Sequence, residues 1–194
     1  DGCANFLLPK VLQSIAADHP SLDLQILALP RVVNLSRREA DMAITVSRPT
    51  GGRLLVQKIA DYHLHLAAHH DYLANAPPLT TLADLRAHPI VGYIPDMIFD
   101  QELDYLSPLG LDRVRFASTS AAVQVQLLHS GAGVGVVHDF ALPAAPGLRP
   151  VLTQEVNFTR TFYLVRHSDD RLSGRMTRVA SLIVSAMRIA LAAT

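Results

Sequence analysis

Gly2, Cys3 and Asn5 stand where a first helix begins, and free backbone N–H groups at a helix N-terminus attract anions. The same residues also read as a plain capped end with Asn5 as the cap. Ser118, Thr119 and Ser120 form a hydroxyl-rich lead into a later helix, able to cap it and to donate to a ligand oxygen. Arg31 offers a planar fork that binds a carboxylate through two parallel hydrogen bonds, or else a solvated charge at a helix start. His63, His65, His69 and His70 are clustered, with 63 and 65 on one strand face, a pattern that in principle ligates zinc. No cysteine lies near them in sequence, and neither a metal nor any other cofactor is expected. His138-Asp139 pairs a base with an orienter, but no G-x-S-x-G elbow accompanies it, so a hydrolase is not expected. Gly131-Ala-Gly-Val-Gly invites a nucleotide reading, yet it follows a helix and opens a strand, the reverse of a dinucleotide loop. Those glycines are expected to stop a helix and allow close packing. Arg37, Arg38 and Glu39 read as a solvated helix face or interface charge rather than a DNA contact.

These groups sit on a chain of 194 residues, long enough to bury a core without disulfide staples. Apolar residues make up 49% and charged residues 18%, which excludes a disordered or highly charged tail. Lys+Arg and Asp+Glu both number 17, leaving no surplus of positive charge to hold a phosphate backbone. This chain alone is not expected to bind DNA. The single cysteine, Cys3, can form neither an internal disulfide nor a cysteine metal site and fits a reducing compartment. No apolar run approaches the roughly 20 residues that span a bilayer, and the opening DGCANFLLPK lacks the basic flank and length of a signal peptide. The expected address is the cytoplasm, without a membrane partner.

Periodicity supplies the elements. Leu7, Leu8, Val11, Leu12 and Ile15 form a helical stripe from near Asn5, with Pro9 tolerable only in a first turn. LDLQIL alternates from Leu22 as a half-buried strand ended by Pro30, a short helix covers Val32 to Ala40, and DMAITV reads as a buried strand. Gly51-Gly52 marks a turn, Tyr62 to Ala68 a strand, and HHDYLANAPP a polar stretch. A capping box at Thr81 and Asp84 predicts a small helix from Leu82. PIVGY is a strand, Met97 to Leu106 a helix, VRFA a strand, Ser120 to Ser130 a helix stopped at Gly131, and GVGVV a strand. Pro143, Pro146 and Pro150 make a loop, Phe162 to Arg166 a strand, and residues Met176 to Met187 a long amphipathic helix. Alternating strands and helices predict α/β architecture with mostly parallel sheets. Crossings near residues 66 and 166 divide the chain into lobe I, 1–65 plus 167–194, and lobe II, 66–166. Ligands of open α/β sheets sit beyond the strands' carboxyl ends, so the cleft between lobes is the expected site.

Several phrases, in order and spacing, resemble one family: the effector-binding domain of LysR-type transcriptional regulators. They are DGCANFLLPKVLQSIAADHPSLDLQI, LSRREADMAI with SRP after it, LAAHHDYLA, LADLRAHPIVGY, STSAAVQVQLLHSGAGVGVV and FYLVRHSDDRLSGRMTRVASLI. The resemblance implies a two-lobed, periplasmic-binding-protein-like (type 2) clamshell that closes on a small molecule, and a carboxylate or aromatic acid is the effector class expected here. It places effector contacts at Gly2 and Cys3, at Pro30 and Arg31, and at Tyr93, Ile94 and Pro95, and these join the hydroxyl-rich Ser118, Thr119 and Ser120 as candidate contacts. Many relatives carry an Arg where this chain has Thr45, so a ligand contact or a packing role at that position is expected to differ, and Thr45 stands as a further candidate contact. In the family the histidine-bearing strand and turn hold no metal, and the Gly131 phrase is structural. A strand, a linker helix and a DNA-binding winged helix-turn-helix normally precede the position of Asp1, and this chain reads as a fragment without them. The implied partners are the effector, a second copy in a homodimer, or a tetramer in the full-length protein, and DNA only through the absent N-terminal domain. The implied function is therefore effector sensing that controls transcription, not enzymatic catalysis, for which no convergent acid, base and metal set can be assembled. The rival reading is a transport-associated solute-binding protein of the same fold.

Overall fold

In the computed structural model, residues 1–29, 35 and 39–194 are described. In chain order they form α1 (Gly2–Phe6), α2 (Leu8–Asp18), β1 (Met42–Thr45), β2 (Leu54–His69), α3 (His70–Asn75), β3 (Ile90–Gly92) and β4 (Phe116–Ala117), then α4 (Ala121–His129), β5 (Val134–His138), β6 (Leu148–Val151), β7 (Phe158–His167) and α5 (Gly174–Ala192), joined by short 3-10 turns. The chain divides into two compact units, one of residues 1–2 and 63–159, the other of residues 3–62 and 160–194. It passes from one to the other inside α1, at Gly2–Cys3, inside β2, at Tyr62–His63, and inside β7, at Thr159–Arg160.

In the unit of residues 3–62 and 160–194, α2 packs on α5. Pro9 sits in the first turn of α2, where its missing N–H costs nothing. Val11 and Ile15 of α2 are buried, as are Ala180, Ile183, Val184 and Met187 of α5, at the helical spacing read from the sequence. Met187 is completely buried. β1 lies antiparallel to β7, with Met42 opposite Arg166 and Thr45 opposite Tyr163. Every residue of β1 is half-buried, so the expectation of a buried strand is corrected: among the described residues β1 ends the sheet order and has a neighbour on one side only. The Tyr62 and Phe162 rings stack at 4.0 Å between centroids, and Arg188 of α5 donates to the Ile59 carbonyl at 2.7 Å.

The segment expected as a strand from Leu22 to Leu27 has no strand structure, and Ile26 and Leu27 are 40% and 52% exposed. Alternation specifies a face but not a hydrogen-bonding neighbour, and among the described residues no strand pairs with it. The helix expected over Val32 to Ala40 falls almost wholly outside the described residues, as do Pro30, Arg31, Arg37 and Arg38.

In the unit of residues 63–159, β5 pairs antiparallel with β2, Leu64 opposite His138 through Ala68 opposite Val134. β6 pairs antiparallel with β2, while β3 runs parallel to β4 and to β5. Leu64, Leu66, Val91, Leu128, Val134 and Val137 make its core, each 1% exposed or less. Gly133, at φ +144°, leaves no room for a side chain, because a Cβ there would collide with the Pro89 carbonyl. At Gly135 a Cβ would stand 2.6 Å from the Val91 carbonyl oxygen, so the tight β3–β5 approach is what these glycines serve, together with the helix stop at Gly131.

Two expectations are corrected in this unit. Met97 to Leu106 is not one helix but single 3-10 turns, Pro95–Met97, Gln101–Leu103 and Ser107–Leu109. The Asp100 carboxylate accepts from the Glu102 N–H at 3.0 Å and the Asp104 carboxylate from the Ser107 N–H at 3.1 Å, so side chains satisfy donors that a continuous helix would use. The proline-rich stretch is not wholly loop, since Asp139–Ala144 forms a 3-10 helix and Pro150 lies within β6, opposite Ala67. The Thr81 and Asp84 signal holds: residues Leu82–Ala87 form a 3-10 helix, and the Asp84 carboxylate accepts from the Thr80 and Thr81 N–H groups at 2.9 and 2.8 Å. Those hydrogen bonds pull its carboxyl down to about 2.

Candidate functional site

The loop between β4 and α4 is fixed from both ends. Ser118 N–H donates to the Gly92 carbonyl at 3.0 Å, tying the loop to the end of β3, and Ser120 N–H donates to Ser118 Oγ at 3.1 Å. Ser120 is the N-cap of α4, its Oγ accepting from the Val123 N–H at 3.3 Å. Gln124, one helical turn on and only 5% exposed, donates from Nε2 to the Ser118 carbonyl at 2.9 Å.

A carboxylate already occupies this helix start. Asp1 Oδ2 accepts from Ser120 Oγ at 2.9 Å and from the Ala122 N–H at 3.1 Å. A hydroxyl and a backbone N–H converge on one oxygen, where the positive end of the helix dipole favours negative charge. Gly2 lies beside the same helix start: a Cβ there would stand 3.4 Å from Ala121 Cβ and 3.1 Å from the His138 ring. His138, at the end of β5, is 7% exposed, and burial lowers its imidazole to about 3, so it is neutral at ordinary pH. Asp139 does not orient it. That carboxylate bonds instead to His65 Nδ1 at 2.8 Å, which dissolves the base-and-orienter pairing suggested by adjacency.

Beyond β3, Tyr93 and Pro95 line a cavity of about 290 Å³ together with Gly92, Asp104, Tyr105 and Gln124. Its size approaches the lower end of small-ligand pockets, about 300 Å³. Burial pushes the Tyr93 phenol up to about 12, so it stays protonated and able to donate. Ile94 is not among the lining residues and accepts at its carbonyl from the Met97 N–H at 3.0 Å.

The structure thus brings Gly2, Ser118 and Ser120 together around one helix start, with Thr119 half-buried between the two serines, and links them to Tyr93 and Pro95 through Gly92 and Gln124. Cys3 and Thr45 belong to the other unit. Desolvation pushes the Cys3 thiol up to about 12, an unreactive sulfur, and Thr45 Oγ1 donates to the Ser47 carbonyl at 2.7 Å. Pro30 and Arg31 lie outside the described residues. Sequence reasoning missed Asp1, Gln124 and Tyr105. Gln124 carried a signal, four residues after Ser120 on the same helix face. Asp1 carried none, being 119 residues from its partner.

The chain matches the sequence profile of the LysR substrate binding domain over residues 1–188. It belongs to that family. The family's fold is the type 2 periplasmic-binding-protein-like one, and solved structures agree. The regulatory domain of CrgA, a LysR-type transcriptional regulator from Neisseria meningitidis, is 22% identical at a TM-score of 0.81, covering 96% of this chain and 94% of that one. The effector domain of the transcriptional regulator AmpR of Pseudomonas aeruginosa is 15% identical at a TM-score of 0.76, covering 100% and 94%. The regulatory domain of AphB in Vibrio vulnificus is 17% identical at 0.73, covering 95% of each chain. Against the longer CrgA structure the chain spans 65% of that chain's length. A search of curated proteins by sequence finds no match. The CrgA regulatory domain and the AmpR effector domain are parts of transcriptional regulators. No described helix is long and apolar enough to cross a membrane.

Proposed function

We propose that this LysR substrate-binding domain senses a small carboxylate effector at the start of α4 and, within a longer cytoplasmic protein, passes that binding to a DNA-binding domain. The observation that carries the reading is the Asp1 carboxylate held by Ser120 Oγ and the Ala122 N–H. The helix start is a working carboxylate receptor occupied from within, and a ligand carboxylate takes the same two donors when it displaces Asp1. Gly2 permits close approach there, and Tyr93 and Pro95 offer an apolar wall with a phenolic donor for an aromatic acid. Contributions from Cys3, Pro30, Arg31 and Thr45, from lobe I (1–65 plus 167–194), rest on the family likeness, as do dimerisation and control of transcription. Effector binding acts on the rest of the protein only through differential affinity for two arrangements of the domain.

Thermal-shift screening against organic acids, amino acids and aromatic carboxylates tests the proposal, because a ligand at 100 times its Kd adds ~2.7 kcal/mol to folding stability. Calorimetry of the best ligand against Ser120→Ala and Arg31→Ala is expected to show binding weakened by ~10-fold in each, the loss of about one hydrogen bond to a charged group. Unchanged affinity in both variants would remove the assignment. Light scattering is expected to show a dimer at micromolar concentration.

A further inference from the structure

Where β2 runs into α3, three side chains able to ligate a metal converge, His69, His70 and Asp71. His69 Nδ1 lies 3.6 Å from one Asp71 carboxylate oxygen, and His70 Nε2 lies 3.2 Å from the other. All three ligand atoms fall within 4.8 Å of one another. A tetrahedral ion with bonds of about 2.0–2.1 Å to nitrogen and oxygen sets its ligands about 3.3–3.4 Å apart, close to the His70–Asp71 distance, while His69 Nδ1 faces the second oxygen of the same carboxylate.

Gly147 prepares both imidazoles. Its carbonyl faces His70 Nδ1 at 3.1 Å and accepts from the His70 backbone N–H at 3.0 Å. A His70 ring that donates from Nδ1 keeps the lone pair of Nε2 for an electrophile, which is how metal-binding histidines are oriented by their surroundings. The missing side chain of Gly147 also seats the His69 ring, since a Cβ there would collide with His69 Nε2. That packing turns Nδ1 toward Asp71. Its bond from the Asp71 N–H is long, at 3.3 Å, and is readily exchanged. The two rings stand 4.4 Å apart, and His70 and Asp71 are more than half exposed, so an ion can reach them from solvent.

We propose that His69, His70 and Asp71, seated on Gly147, form a site for one divalent transition-metal ion of the zinc class, with its fourth position open to water. Two imidazoles and a carboxylate suit Zn2+, Ni2+ or Cu2+ rather than Mg2+ or Ca2+. The site departs from the metal-free expectation for these histidines, and of the four clustered in the sequence it uses His69 and His70 but neither His63 nor His65.

Isothermal titration of the 194-residue chain with zinc chloride tests it. The expected result is one saturable site per chain, weakened at least ~10-fold in His70→Ala and in Asp71→Ala and unchanged in His63→Ala. Circular dichroism confirms that each variant is folded, and the exposed Asp71 carboxylate keeps the test valid should His70→Ala misfold. Co2+ bound to the unaltered chain is expected to give tetrahedral visible bands that Asp71→Ala abolishes. Absence of one-to-one zinc binding, or binding that survives both substitutions at full strength, overturns the proposal.

Discussion

Replacing His138 by Leu isolates the cost of keeping an imidazole neutral inside the unit of residues 63–159. His138 is 7% exposed, sits opposite Leu64 in the β2–β5 ladder, and packs against Gly2 and the Phe140 ring, 4.9 Å away between centroids. Burial lowers its pKa from 6.5 to about 3. Between those values the unfolded chain binds a proton at this residue and the native chain does not. The stability that His138 permits is therefore complete above pH ~6.5 and falls as the pH drops toward ~3. The limiting slope is ~1.4 kcal/mol per pH unit, and integration from pH 7 to pH 5 gives a loss of ~2 kcal/mol from this residue. Urea unfolding of the unaltered chain and of His138→Leu at pH 7, 6 and 5 measures it. The difference in stability between the two proteins is expected to move by ~2 kcal/mol in favour of the variant across that range. The change with pH, not the absolute stability, is the readout, so any repacking by leucine cancels. Parallel curves for the two proteins would refute the claim that the imidazole is held neutral by burial.

Gly133→Ala is expected to destabilise the unit of residues 63–159 by about 3 kcal/mol or more, because it combines an unfavourable φ with a collision at the Pro89 carbonyl, and urea unfolding checks it. Met187→Ala empties a fully buried position of α5 and is expected to cost ~2–5 kcal/mol by the same assay. Asp84, whose carboxyl lies lowered to about 2, supports the folded state above its unfolded pKa of 3.8 and stops doing so as the pH falls through about 2. Asp84→Asn is therefore expected to flatten the acid-unfolding curve between those two values, read by circular dichroism.

The elements most legible in the sequence are those whose burial pattern decides their structure. The stripe from Met176 to Met187 became α5, and the run GVGVV became β5, because each buries a face or a whole strand that periodicity reveals. LDLQIL shows the limit of the same argument. Its alternation is real, but a strand also needs a neighbour, and the identity of a neighbour is not written locally. Met97 to Leu106 failed for another reason, since Asp100 and Asp104 capture backbone donors that hydrophobic periodicity ignores. At the site, Ser120 as a helix cap followed from residue type and position. The Asp1 carboxylate seated on that cap depends on a contact between the chain's first residue and its middle, which only folding brings about.

The passages of the chain through β2 and β7 bear on how this molecule can be rearranged. His63 Nδ1 and Thr159 Oγ1 are 3.2 Å apart, so the inserted half leaves and returns at nearly one point. An insert whose two ends touch closes on itself. Replacing residues 63–159 by a short bridge is expected to leave the other unit both its attachment points.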